Sequence, residues 1–228
     1  MRSAAHVSYR AAITAALVLS GCPTLAGQQP ATTVRLPAPR RDGAMSVEAA
    51  LWARRSVRSL TRDTIALADA AQLLWAAQGV NRPDGHRTAP SAGATYALEV
   101  LLVATRVRDL PPGVYRYRPA THTLDLAAAG DRLSDLLTTV RQPWIGDAAA
   151  VIVLTAVYER TARRYGERAD RYVPIEAGSA AQNVYLACAA LGLGTTYVGS
   201  YSDTAVTRVL ALAPDERPLG LLPVGRPR

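Results

Sequence analysis

Between Glu176 and Leu191 the chain reads EAGSAAQNVYLACAAL, and nothing after Gly178 interrupts a helix. Alanine and leucine dominate the stretch, and both lose little conformational freedom on becoming helical. Ala177, Ala180, Ala181, Val184, Leu186, Ala187, Cys188 and Leu191 spread round almost the whole circumference. A helix apolar nearly all round must be buried nearly all round. Gly192 and Gly194 end it, because glycine takes the left-handed conformation favoured just past a helix C-terminus. TTYVGSY, residues 195–201, then reads as a short strand broken by Gly199, where a backbone can meet a flat ligand closely. The stretch therefore predicts a buried central helix, a turn, and a strand that presents bare backbone to a site. The small side chains of Ala177, Ala180, Ala181, Ala187 and Cys188 further imply a helix-to-helix contact between two copies of the chain.

The N-terminus has a different character. Arg2 and Arg10 precede an apolar run from Ala11 to Leu19, which leads into Leu19-Ser20-Gly21-Cys22. A basic start, a short apolar core and small residues before a cleavage point describe a secretory signal. The run falls short of the about 20 residues that a transmembrane helix needs. Its ending resembles the lipobox of bacterial lipoproteins, in which the cysteine is lipidated and becomes the new N-terminus. The resemblance implies a signal peptide over residues 1–21, lipidation at Cys22, and a place in the bacterial cell envelope, anchored to a membrane. The alternative is a cytoplasmic protein with a chance LSGC. Residues 22–43 mix Pro, Gln, Thr, Arg and Gly without apolar periodicity, so they read as a flexible tether. Residues 44–228 are of a length that suits one domain. Only Cys188 falls within it, which excludes an internal disulfide framework.

The formal charge of +8 is carried by arginine alone, for the chain has no lysine. The arginines are scattered, without a long basic run and without the interleaved aromatics of a single-strand platform. A nucleic-acid partner is therefore not expected. His86 and His122 stand far apart without ligand spacing, so no metal site is expected.

Along the domain, Ser46 is placed to cap a helix running to about Ala53, and ARRSVRSL follows. Its arginines and serines, Arg54, Arg55, Ser56 and Arg58 among them, are dense anion donors, since guanidinium grips phosphate through paired bonds. Cations against a solvated helix end would have the same appearance. Leu67–Gln78 is an amphipathic helix stopped by Gly79, and residues 81–96 form a loop by every breaker signal. Within that loop the segment Pro90-Ser91-Ala92-Gly93 offers backbone donors, after its proline, without bulk. Strands are expected over Leu98–Thr105 and Ala148–Val157, with a hairpin between GVYRYRP and HTLDLAAAG and a helix over Asp131–Val140. Strands and helices mingle, which indicates an α+β fold.

Four pieces in order, ARRSVRSL, APSAGATYALEVLLV, RYGERADRYVPIEAGSAAQNVYLACAALGLGTTYVGSY and PLGLLPVGRP, resemble the flavin-dependent nitroreductase family, and within it the SagB-type or ThcOx-type dehydrogenase branch. The resemblance covers Ser46 to Arg228. It implies an α+β sandwich with a central antiparallel sheet flanked by helices, an intertwined homodimer, and FMN bound at the interface. It implies hydride exchange through the flavin between a small-molecule donor, NAD(P)H among them, and a small-molecule acceptor. By motif, Arg54, Arg55, Ser56 and Arg58 would hold FMN, with Arg226 on its phosphate side. Pro90, Ser91 and Ala92 would come from the second subunit. Val198 and Gly199 would lie behind the ring with a backbone N–H toward N5, and Gln142 would touch the flavin. Members that oxidise azolines in peptide maturation carry a Lys-Tyr pair where this chain has Arg164-Tyr165. Arginine stays charged and shuttles protons poorly, which leaves Tyr165 as the candidate acid or base, or as a structural tyrosine. The alternatives are a lipid-anchored flavin-binding or interaction protein without turnover, a fold relative that binds no flavin, and an azoline oxidase of peptide maturation.

Overall fold

The structure, a computed structural model, describes residues 32–228; residues 1–31, with the expected signal peptide and Cys22, lie outside the described residues. The folded part begins earlier than residue 44. Strand β1 (Thr33–Arg35) pairs antiparallel with β4 (Thr123–Ala129), Val34 opposite Leu124. Leu36 is buried. The Pro37 carbonyl receives a hydrogen bond from His122 Nε2 at 2.8 Å. Because a carbonyl only accepts, Nε2 carries the proton, and Nδ1 accepts from the Tyr117 phenol at 2.9 Å. The tether expectation is thus corrected over residues 33–40, the last of which donates its N–H to the Gln72 side chain at 2.8 Å. Polar composition concealed a short edge strand whose backbone bonds come from a distant segment.

The remaining strands are β2 (Leu98–Ala104), β3 (Gly113–Arg118), β5 (Ala150–Val157), β6 (Gly194–Thr195) and β7 (Glu216–Gly225). They form one antiparallel sheet in the order β1-β4-β3-β2-β5-β7-β6. Along β5 the alternation of a pleated strand sends Ile152, Leu154 and Ala156 to one face and Val151 and Val153 to the other. Both faces are covered, so β5 is apolar except at Thr155, whose buried hydroxyl donates to Glu216.

Helices α2 (Leu67–Gln78) and α5 (Ala169–Ala190) cover the first face; α3 (Leu133–Leu137) and α6 (Asp203–Val209) cover the second. Helix α1 (Val47–Ala53) starts as its sequence dictates, with the Ser46 hydroxyl accepting the Ala49 N–H at 3.1 Å. Helix α5 begins seven residues before Glu176 and runs through Pro174, following the short helix α4 (Glu159–Tyr165). Pro174 and Asp170 are both exposed, so water can serve the carbonyl that the missing N–H leaves free. At the other end Gly192, at φ 66°, closes the helix: its N–H reaches Ala189 O, and the Leu193 N–H reaches Cys188 O.

Two expectations of α5 are corrected. Ala177, Ala180, Ala181 and Cys188 are buried against α2 and the sheet of the same chain, so this small-residue surface is not free for a second copy. The segment TTYVGSY is a strand only at Gly194–Thr195; beyond that, single bridges join Val198 to Leu221 and Tyr201 to Val140.

Candidate functional site

Backbone pairing draws three distant segments together beside the C-terminal end of α5. Ser56 bridges Thr195, and the Val57 N–H donates to Thr195 O at 2.9 Å. The Thr196 hydroxyl returns to Val57 O at 2.8 Å. On the other side of the same segment, Thr61 N–H donates to Arg226 O at 2.8 Å, and Leu60 bridges Pro227. Arg54 through Arg58 are therefore held between β6 and the chain end that carries Arg226.

The space left there is a cavity of about 210 Å³, lined by Arg54, Arg55, Tyr185, Cys188, Thr195 and Pro227 among others. Tyr185, half-buried on α5, organises its wall. Its oxygen accepts the Tyr197 N–H at 2.7 Å and lies 3.3 Å from the Ser56 hydroxyl, to which its own proton is free to go. The Arg54 guanidinium stacks over the Tyr185 ring, 5.4 Å from its centre.

Two observations give this cavity a preference for an anion. Among the described residues no carboxylate pairs with Arg54, Arg55, Arg58 or Arg226. The Thr195 hydroxyl is buried in the wall without a hydrogen-bond partner. Buried polar groups are otherwise satisfied in folded proteins, so an orphaned donor beside uncompensated cations matches the oxygens of a phosphate. Cys188 supplies shape alone, for burial pushes its thiol far above the ordinary range.

The second sequence-predicted cluster gathers at the other end of α5. Pro90, Ser91 and Ala92 lie in a loop that packs on Glu176 and on α4: Ala92 N–H donates to Glu176 Oε1 at 2.7 Å, and Arg164 donates to Gly93 O at 3.1 Å. Tyr165 stands against Gly93 and packs edge-to-face with Tyr172, the ring centres 5.3 Å apart. Glu176 and Tyr185 are nine residues apart on one helix, which separates the clusters by about 13 Å along its axis. Within a single chain, then, Tyr165 joins the Pro90–Ala92 loop and not the arginines.

The 198–201 segment is partly committed. Val198 exchanges both backbone hydrogen bonds with Leu221 and buries its side chain, so its N–H is not available to a ligand; Gly199 is exposed. Gln142 stands at the start of the turn Pro143–Asp147 on the α3 side of the sheet, two residues from the Val140–Tyr201 bridge and away from the arginine cavity. Sequence reasoning missed Tyr185, Thr195 and Glu176. Only Glu176 had a faint signal, a carboxylate among apolar and small residues; Tyr185 and Thr195 stand near other polar residues and had none.

Comparison with known proteins identifies the family and the fold. The family model described as "Nitroreductase family" matches residues 51–226. A relative from Methanocaldococcus jannaschii, described as a nitroreductase, is 40% identical over 183 residues, covering 80% of this chain and 91% of the relative. Among solved structures, a Ralstonia eutropha protein described as a nitroreductase superposes with a TM-score of 0.77 at 33% identity, covering 86% of this chain and 90% of that one. The NADPH:FMN oxidoreductase of Vibrio harveyi, solved with NAD+, shares the fold at a TM-score of 0.58 and 19% identity, over 79% of this chain and 68% of that one.

Proposed function

The chain belongs to the nitroreductase family, and from that premise we propose that it is an FMN-dependent oxidoreductase of the SagB-type branch, working between NAD(P)H and a small-molecule acceptor. The observation that carries the reading is the cavity where unpaired Arg54 and Arg55 meet the orphaned Thr195 hydroxyl. A phosphate there would receive two guanidinium forks and one hydroxyl, and would relieve both the uncompensated charge and the unsatisfied oxygen. Bound FMN would supply hydride exchange at its N5. This chain's residues would bind and orient it: Tyr185 holds Arg54 in place by stacking and Tyr197 by hydrogen bonding, and the exposed Gly199 would offer open backbone to the ring. The Pro90–Ala92 loop would reach the flavin of a partner subunit, which makes the active form a homodimer. Export and lipidation at Cys22 complete the proposal, with residues 22–31 as the link to the membrane.

The test is spectroscopic. The full chain, purified and soaked with FMN, is expected to be yellow and to release FMN on denaturation. A protein that stays colourless after soaking refutes the reading.

A further inference from the structure

The loop Ser91–Tyr96 carries an unusual concentration of left-handed backbone: Gly93 at φ 56°, Ala94 at 54° and Tyr96 at 49°. For alanine and tyrosine this conformation is unfavourable, because Cβ crowds the following carbonyl. Strained backbone persists only where its surroundings over-determine it. Here the restraints are explicit. Ser91 Oγ accepts the Tyr96 N–H at 2.9 Å, and the Ala94 N–H reaches Ser91 O at 3.0 Å. Arg164 and Arg160, both exposed, donate to the carbonyls of Gly93 and Tyr96 at 3.1 and 3.0 Å.

Beneath the loop lies Glu176, 4% exposed, with no cation paired to it among the described residues. Its Oε1 accepts the Ala92 N–H at 2.7 Å, while Oε2 is buried without any partner. Neighbouring core positions on α5 are Val173, Ala177 and Ala180, so an apolar side chain would suit the helix better. Burying a carboxylate without a cation is costly, and burial accordingly pushes the Glu176 carboxyl above its ordinary range, against the opposing pull of Ala92 and Ser91. The helix gains nothing from this group. Its resolved hydrogen-bonding partners are in the loop.

We propose that Glu176 is a positioning residue: its buried carboxyl oxygen holds the Ala92 N–H and so keeps the Ser91–Tyr96 loop in the strained shape that faces a ligand. The consequence for flavin affinity rests on the function proposed above; the consequence for the loop does not. What matters is an acceptor at Oε1 and not the negative charge, so glutamine should substitute and leucine should not.

The experiment compares the full chain with Glu176→Gln and Glu176→Leu by amide hydrogen exchange and by fluorescence titration with FMN. Glu176→Gln is expected to exchange residues 91–96 like the unaltered protein and to bind FMN within about threefold. Glu176→Leu is expected to fold, to exchange that loop about tenfold faster or more, and to weaken FMN by about tenfold or more, since the Ala92 N–H is left without its acceptor. Unchanged loop exchange in Glu176→Leu overturns the proposal. So does a glutamine variant as impaired as leucine, or a leucine variant that does not fold, which would make Glu176 a residue of the whole core. If the unaltered chain binds no FMN, the functional reading fails, and the exchange measurement still decides the role of Glu176.

Discussion

Arg116 shows how one side chain can hold the sheet together. From β3 it reaches Glu216 on β7 with both terminal nitrogens, at 3.0 and 2.7 Å, and Glu99 on β2 at 3.3 Å; Thr155 on β5 also donates to Glu216. Glu216 has a side chain only 2% exposed. Burial pushes its carboxyl up, but the Arg116 fork and the Thr155 hydroxyl outweigh that and hold it below the ordinary range. Arg116→Met would strand the carboxylate, so a loss of about 3–5 kcal/mol is expected in urea unfolding at neutral pH. The sign with pH follows from the lowered value: the stabilisation is complete above about pH 4.3 and disappears as pH falls through the folded-state value. The gap between the two proteins should therefore narrow in acid, and a gap independent of pH would contradict this account. At the cavity, Arg54→Ala is expected to weaken FMN by about 2–4 kcal/mol in fluorescence titration, as a charge-assisted partner is removed from a phosphate. An unchanged affinity would place the phosphate elsewhere.

Helix α5 links both clusters to the core, and its two glycines predict opposite outcomes. Gly192 sits at φ 66° with open space around it, so Gly192→Ala meets no clash yet must hold a left-handed alanine; a loss of about 1–2 kcal/mol is expected. Gly178 lies inside the helix, exposed, also with open space where a Cβ would go. Gly178→Ala should stabilise the isolated chain by up to about 1 kcal/mol through helix propensity. Thermal unfolding at several protein concentrations reads both. A Gly178→Ala chain that loses stability in step with dissociation would mean that a second copy packs on that glycine. The correction to this helix is of the same scale: its alanines are already used against α2 and the sheet, so Ala181→Arg would damage the fold of one chain and would not isolate an interface.

For the whole molecule, the notable surface is α1 and its approach. Trp52 is 93% exposed, and Met45, Val47 and Leu51 are exposed too. Large apolar side chains grouped in this way are what a partner covers. In the proposed homodimer this surface replaces the buried alanine face as the contact, and Trp52→Ser is expected to shift the protein toward monomer in sedimentation velocity with its secondary structure intact. A dimer of unchanged stability would remove α1 from the interface. The envelope proposal makes a separate prediction: Cys22→Ala abolishes incorporation of a tagged fatty acid in a bacterial host. Unlabelled wild-type protein in the cytosol would end that proposal and leave the enzyme reading standing.

The elements with strong local signals were legible from residues alone. The Ser46 cap, the helix Leu67–Gln78 with Gly79 behind it, the largely apolar strand β5 and the glycine closure of α5 depend on neighbours within a few positions. The arginines of ARRSVRSL were legible as anion donors for the same reason: guanidinium chemistry is carried by the residue. What remained hidden was decided by partners far away in sequence. Residues 33–35 are a strand only because β4 offers its edge, and α5 extends through Pro174 only because the exposed side tolerates a missing hydrogen bond. Thr195 became a candidate ligand because tertiary packing buried its hydroxyl and provided no partner, and Glu176 because folding placed a carboxylate under a strained loop. Local sequence determines which conformations and chemistries are available; burial and long-range hydrogen bonding determine which of those groups remain to act.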